Sequence, residues 1–303
     1  MKKAFTLVEL LIVIGILGIL SGVLLVSMGG TTESARSAKC MANMRNLASA
    51  CQNYGMSCGY YPLAAATEFS AIDESSGIRN VKMRYSESNP VNPAVGKAWI
   101  GWYSNGAYAS KPTSSIASAS FHQSPYASAG STGDEQIYCI TNGALWASVN
   151  GNREAFICPS HAKAALAKGK KAFWSYEMNG YFGGDVSHSA QTVSESYGGV
   201  SFANLKLADR RVLFAELPFD EFDDPYADTA IQYKGLDAGS NQGLAFNHAS
   251  GKRKCAHVVY ADGHVDKLTL PRGGGVDQEE LMDWLCRGLD ISFNGSTYEK
   301  LED

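Results

Sequence analysis

The chain has 303 residues and a formal net charge of −4, from 26 Lys and Arg against 30 Asp and Glu. Charged residues make up 18% of it, against roughly 25% in an average globular chain, so binding to nucleic acid by phosphate neutralisation is not expected. No heptad or fixed period runs through the sequence, which removes coiled coils and repeat arrays.

The first element is an apolar run. After Lys2 and Lys3, residues Phe5 to Met28 carry a single charge, Glu9. As a helix this run is about 36 Å long, enough to cross a bilayer core of about 30 Å with some tilt. It is too long for the apolar part of a cleaved secretory signal, and no small-x-small site follows it. A plain anchor fits the length but leaves Glu9 unexplained, because a carboxylate at membrane depth costs about 2.5–3.5 kcal/mol. Lys2 and Lys3 precede the run and Arg36, Lys39 and Arg45 follow it, so the positive-inside rule does not decide its orientation.

Residues 29–55 continue the helix as an amphipathic segment. Met44, Leu47, Ala48, Cys51 and Tyr54 recur at spacings of three and four, giving one apolar face, and Gly55 is the expected stop. Gly15, Gly18 and Gly22 lie three and four apart; they either permit close helix approach or reflect the frequency of Gly in membrane helices. Residues 56–303 form the head. A Ser/Ala/Gly-rich loop is expected at 105–133, beside Trp99, Trp102, Tyr103 and Tyr108, which either pack the loop down or offer rings to a sugar or a partner subunit. Strand-like pieces follow at 172–178, 211–216, 243–247, 256–261 and 264–269. Asp262-Gly263 between the last two predicts a two-residue hairpin with positive φ at both positions. A helix is predicted at 278–287, capped by Asp277 with Glu280 as its capping-box partner. The expected fold is α+β: a long N-terminal helix, first transmembrane and then amphipathic, packed on an antiparallel sheet.

Little chemistry is legible. Cys158, His161, Cys255, His257 and His264 contain no C-x-x-C pair and no H-E-x-x-H, so no metal or cofactor is expected. The stretch Asp220, Glu221, Asp223, Asp224 and Asp228 has calcium-type ligands but reads as a solvated acidic loop. His248 and Asp262 could be drawn as a dyad, although a turn accounts better for Asp262. With no nucleophile elbow, phosphate loop or paired carboxylates in context, catalytic residues are not expected and the chain is read as a non-enzyme. The seven cysteines, Cys40, Cys51, Cys58, Cys139, Cys158, Cys255 and Cys286, are odd in number, so at least one stays unpaired or bridges two chains.

The string KKAFTLVELLIVIGILGIL resembles the N-terminal segment of type IV pilins and type II secretion pseudopilins. That resemblance implies a leader of residues 1–4, cleavage by a prepilin peptidase between Ala4 and Phe5, and N-methylation of Phe5. The family usually has Gly where Ala4 stands here. It further implies a transmembrane helix at 5–28, insertion in the inner (cytoplasmic) membrane as a single-pass protein, and a head in the periplasm or at the cell surface. The implied partners are the peptidase, other pilin or pseudopilin subunits, the inner-membrane assembly platform and the lipid bilayer. Glu9 then gains a role in assembly, meeting the new Phe5 amine of a neighbouring subunit or of its own chain four residues away.

A second set of strings, ARSAKCMANMRNLASACQNY (35–54), AFICPS (155–160), SYEMNGYF (175–182), RVLFAE (211–216) and the run from His248 to Val265, resembles a family of pilin-like proteins expanded in planctomycetes and verrucomicrobia. Its C-terminal signature is H-X9-DG; here 13 residues separate His248 from Asp262-Gly263. Cys40 and Cys158 fall in its recurring strings, which makes them the expected disulfide. Cys51–Cys58 would be a local bridge, Cys139–Cys158 is a rival to Cys40–Cys158, and buried free thiols are the other possibility. The function implied is that of a filament subunit; the alternative is a membrane-tethered carbohydrate-binding protein that uses a pilin-like leader for export.

Overall fold

The computed structural model describes residues 7–62, 64, 98–100, 125–182, 200–218, 230–231, 244–250, 253–270 and 278–301. Ala4, Phe5, Trp102, Tyr103, Tyr108, the acidic stretch 220–228, Asp277 and most of the 105–133 loop lie outside these residues.

One helix, α1, runs unbroken from Leu7 to Cys58, about 78 Å at the usual rise. Its first described turns expose large apolar side chains all round: Leu7, Val8, Leu10, Leu11, Ile12 and Ile14 are each more than half exposed, and Ile16 to Leu20 continue the pattern. Among the described residues, no helix is long and apolar enough to cross a membrane. The expected span 5–28 extends beyond the stretch Leu7–Ser21 whose side chains are described. Further along, α1 buries one stripe against the head, comprising Cys40, Met44, Leu47, Ala48 and Cys51.

Gly55 does not stop this helix. It lies inside α1, and a Cβ there would sit 2.4 Å from the Phe202 ring, so the glycine serves close packing. The helix ends one turn later, at Gly59, whose φ of 78° is left-handed, the usual conformation just beyond a helix C-terminus.

The head follows in chain order: β1 (Tyr126–Ser128), α2 (Asp134–Asn142), a 3₁₀ turn (Arg153–Phe156), α3 (Pro159–Ala167), β2 (Lys170–Ala172) and β3 (Tyr176–Asn179). Then come β4 (Val212–Glu216), β5 (Ala230–Ile231), β6 (His248–Ser250), β7 (Arg253–Tyr260), β8 (Val265–Thr269), α4 (Gln278–Arg287), β9 (Ile291–Phe293) and β10 (Tyr298–Lys300). The predicted strand 172–178 is two strands, broken at Phe173-Trp174-Ser175 by residues that turn into the core. Of the piece at 243–247, the described residues 244–247 form no strand; the strand begins after them, as β6. The helix at 278–287 falls where the sequence places it.

The central sheet has the order β5-β3-β4-β7-β6, with β8 also on β7. All its pairs are antiparallel except β3 with β5, which corrects a wholly antiparallel expectation. Alternation along β7 builds three layers. Ala256, Val258 and Tyr260 pack towards Leu281, Leu285 and Cys286 of α4. His257, Val259 and Ala261 lie on the opposite side, towards α1. Asn179 ties α4 to the sheet, donating from Nδ2 to the carbonyls of Val212 (2.7 Å) and Cys286 (3.0 Å).

The β7–β8 hairpin is real, but its turn differs from the predicted one. Only Gly263 has positive φ, at 96°. Its N–H donates to the Tyr260 carbonyl, and the Tyr260 N–H donates to the carbonyl of His264. This is a three-residue loop closed by a glycine bulge. The Asp262 carboxylate accepts from the His264 backbone N–H at 3.0 Å, so a side chain performs the turn chemistry that a second left-handed residue would otherwise supply.

Candidate functional site: a buried thiol, imidazole and carboxylate cluster

Four side chains of metal-ligating type converge where α1 crosses the sheet. Cys40 comes from α1, Cys158 from the start of α3, Glu216 from the end of β4 and His248 from the start of β6. Their ligand atoms all lie within 4.8 Å of one another, and none of the four residues is more than 2% exposed.

Local sequence explains each placement. On α1, Glu33, Ser37 and Cys40 share the face that continues through Met44 and Leu47, at spacings of three and four. Cys158 caps α3, with Pro159 in the first turn, a position where the missing N–H of proline has no cost. The 3₁₀ turn before it is held to α1 by Asn43, whose Nδ2 donates to the carbonyls of Glu154 and Ile157 at 2.8 Å each. Cys158 is thereby set beside Cys40. Glu216 and His257 face α1 from neighbouring strands β4 and β7, and His248 from β6 beyond them.

The Cys40 thiol donates to Glu216 Oε1 at 2.7 Å, and the Tyr176 hydroxyl donates to Cys40 Sγ at 3.4 Å. His248 Nε2 lies 2.8 Å from Glu216 Oε1 and 3.3 Å from Cys158 Sγ. Its Nδ1 lies 2.9 Å from Glu33 Oε1, and Glu33 is held in turn by the Ser160 hydroxyl. Glu216 Oε2 accepts from the His257 backbone N–H at 3.0 Å. The His257 ring lies tilted against His248 with centroids 4.4 Å apart, and its Nε2 is 2.9 Å from Ser37 Oγ.

Burial works against every charge here, and the partners decide which charges survive. For His248, burial disfavours the imidazolium, but the hydrogen bonds and charges of Cys158 and Glu216 outweigh it and push the group up to about 11. For Glu216 burial is again opposed, by His248 and His257, and the carboxyl is held well below the usual range. Burial, the bond to Cys158 and the charge of Glu216 push the Cys40 thiol up. Cys158 is drawn down despite burial, by the bonds from Cys40 and His248. Through its two ring nitrogens His248 links Cys158 to Glu33, the order in which nucleophile, base and orienting carboxylate stand. The near-complete burial of Cys158 and His248 gives a substrate no approach to the sulfur.

The expected pair, Cys40 and Cys158, is brought together, but both are free thiols. The Cys51–Cys58 and Cys139–Cys158 disulfides are not formed either: Cys51 and Cys139 are buried and Cys58 is exposed, none of them in a disulfide. The expectation of no metal site rested on a different residue set, of which only Cys158 enters the cluster. His161 bonds Tyr126 at 2.6 Å, and His264 stacks on Tyr260. Asp262 lies exposed at the hairpin, so it forms no dyad with His248. Trp99 is fully buried, edge-on to Phe214, and presents no face to a sugar. Glu9 is exposed on α1.

Sequence reasoning missed Glu216 and Glu33 altogether. A signal was present: Cys40, Cys158, Glu216 and His248 each lie in one of the strings ARSAKC, AFICPS, RVLFAE and the His248 run.

Residues 1–25 match the prokaryotic N-terminal methylation motif. No curated protein and no solved structure matches the chain. The chain therefore carries a type IV pilin-like leader, the kind that a prepilin peptidase processes.

Proposed function

We propose that this chain is a pilin-like subunit that is cut before Phe5, methylated there, held in the inner membrane by residues 5–28 and assembled into a type II secretion or type IV pilus-like filament. The observation that carries the reading is the continuity of α1. A methylation motif at residues 1–25 leads into a single helix from Leu7 to Cys58, apolar on every side at its start and seated on the head in its second half. A helix apolar all round needs lipid or sister helices to cover it. In this reading Glu9 sets subunit register against a neighbouring Phe5 amine, the H-X9-DG resemblance describes the head, and the function is assembly rather than catalysis.

Mass spectrometry of the N-terminal peptide from native membranes tests processing: the expected chain starts at N-methylated Phe5, and a chain that keeps Met1 overturns the proposal. Glu9→Ala should insert normally and form no filaments; ordinary filaments from that variant would remove the register role.

A further inference from the structure

We propose that Cys40, Cys158, Glu216 and His248 form a closed, four-coordinate site for a zinc-class divalent metal, which pins the long helix to the head.

The donor set is the first argument. Two sulfurs, one imidazole nitrogen and one carboxylate oxygen suit zinc and its borderline neighbours; calcium and magnesium take oxygen ligands. The second argument is spacing. Tetrahedral zinc with ordinary bond lengths sets its ligand atoms about 3.3–3.8 Å apart. The atoms here are 2.7, 2.8 and 3.3 Å apart at the three contacts described above and nowhere beyond 4.8 Å. Adjustments of an ångström or less at side-chain ends make the tetrahedron.

The third argument is the surrounding shell. A metal-bound histidine commonly passes its other ring N–H to a carboxylate, which fixes its orientation. His248 aims Nε2 into the cluster and Nδ1 at Glu33 Oε1. The Ser160 hydroxyl positions Glu33. The His257 backbone N–H holds the second oxygen of Glu216, leaving Oε1 directed inward. The Tyr176 hydroxyl donates to Cys40 Sγ, as a donor to a bound thiolate would. Metal binding would displace the thiol protons and the inward proton of His248 to solvent, leaving His248 neutral with its proton on Nδ1 towards Glu33. Two thiolates and a carboxylate then face a dication, so burial no longer isolates a lone charge. All four positions come from the protein, with none open to a substrate, which makes the site structural.

The test uses the full chain purified in detergent under reducing conditions, without a polyhistidine tag, and incubated with zinc chloride before desalting. Elemental analysis should find close to one zinc per chain. X-ray absorption at the zinc edge should show two sulfur and two nitrogen or oxygen neighbours. Cys40→Ser and Cys158→Ser should each lower bound zinc at least tenfold, while Cys286→Ser, remote on α4, keeps it. Glu33→Ala should weaken zinc binding about tenfold, a loss that an unrelated site would not share. Zinc well below one per chain in the folded wild type, or zinc with fewer than two sulfur neighbours, overturns the proposal. A Cys40–Cys158 cross-linked peptide in native, metal-free protein overturns it too. Because the absorption measurement is made on wild-type protein, misfolding of a variant does not blunt the test.

Discussion

The buried face of α1 has two stretches that share a period and differ in chemistry. From Met44 to Cys51 it is apolar and fully buried against Trp99, Trp174 and Phe214. From Glu33 to Cys40 the same stripe is polar, and Glu33, Ser37 and Cys40 each meet a named atom of the sheet or of α3. Helical geometry alone makes both stretches face the head. Apolar contact is non-directional, so the lower stretch holds α1 down without choosing its rotation finely. The upper stretch chooses it, because hydrogen bonds and metal–ligand bonds fail over fractions of an ångström. α1 is thus seated by one stretch and registered by the other.

Breaking the polar stretch should have the largest effect. In the metal-free protein Glu216→Ala leaves the His248 imidazolium buried without its main counter-charge and should cost about 3–5 kcal/mol, read by urea unfolding with chelator present. Next, Leu47→Ala in the apolar stretch should cost about 2–5 kcal/mol by cavity formation. That cost should be the same with and without a metal chelator, whereas the cost of Cys40→Ser should shrink when chelator is present. Gly55→Ala forces a Cβ against the Phe202 ring and should cost about 1–3 kcal/mol, seen as a lower thermal midpoint with unchanged helix content.

A pH-dependent effect lies away from the seam between α1 and the sheet. Burial lowers His161 to about 3 from an ordinary 6.5, so the unfolded chain takes up this proton first as pH falls. The stability it contributes is complete above pH 6.5 and is lost towards pH 3, by about 1.4 kcal/mol per unit. Unfolding of wild type and His161→Leu at pH 6.5 and 5 should give a shallower slope for the variant; equal slopes would show that His161 does not titrate as described. Smallest, Asp262→Ala should cost about 0.5–1.5 kcal/mol by releasing the bond to the His264 N–H, and should leave the polar stretch untouched.

Much of the frame was legible in the residues. The apolar period from Met44 to Cys51, the helix at 278–287, the strand at 211–216 and the hairpin around Asp262-Gly263 all rest on local signals, and the structure holds each of them. Local signals misled where a neighbour decided. Gly55 has the composition of a helix end, but the Phe202 ring, 147 residues away in the chain, explains its lack of a side chain. Asp262-Gly263 has the composition of a two-residue turn, but the Asp262 side chain caps the loop and leaves positive φ to Gly263 alone. The short helices α2 and α3, nine residues each, offer too few turns for a periodic pattern to stand out.

The sequence by itself determined the leader, the length and period of α1, and the class of the head, because these depend on residues a few positions apart. Only the tertiary structure decided the cluster. Its ligands sit at positions 40, 158, 216 and 248, on four elements whose meeting is set by strand order and by where α1 lies on the sheet. A spacing motif records a site when one turn or one helix supplies its ligands. Here each ligand comes from a different element, so no local spacing connects them and only the packing brings them within bonding reach.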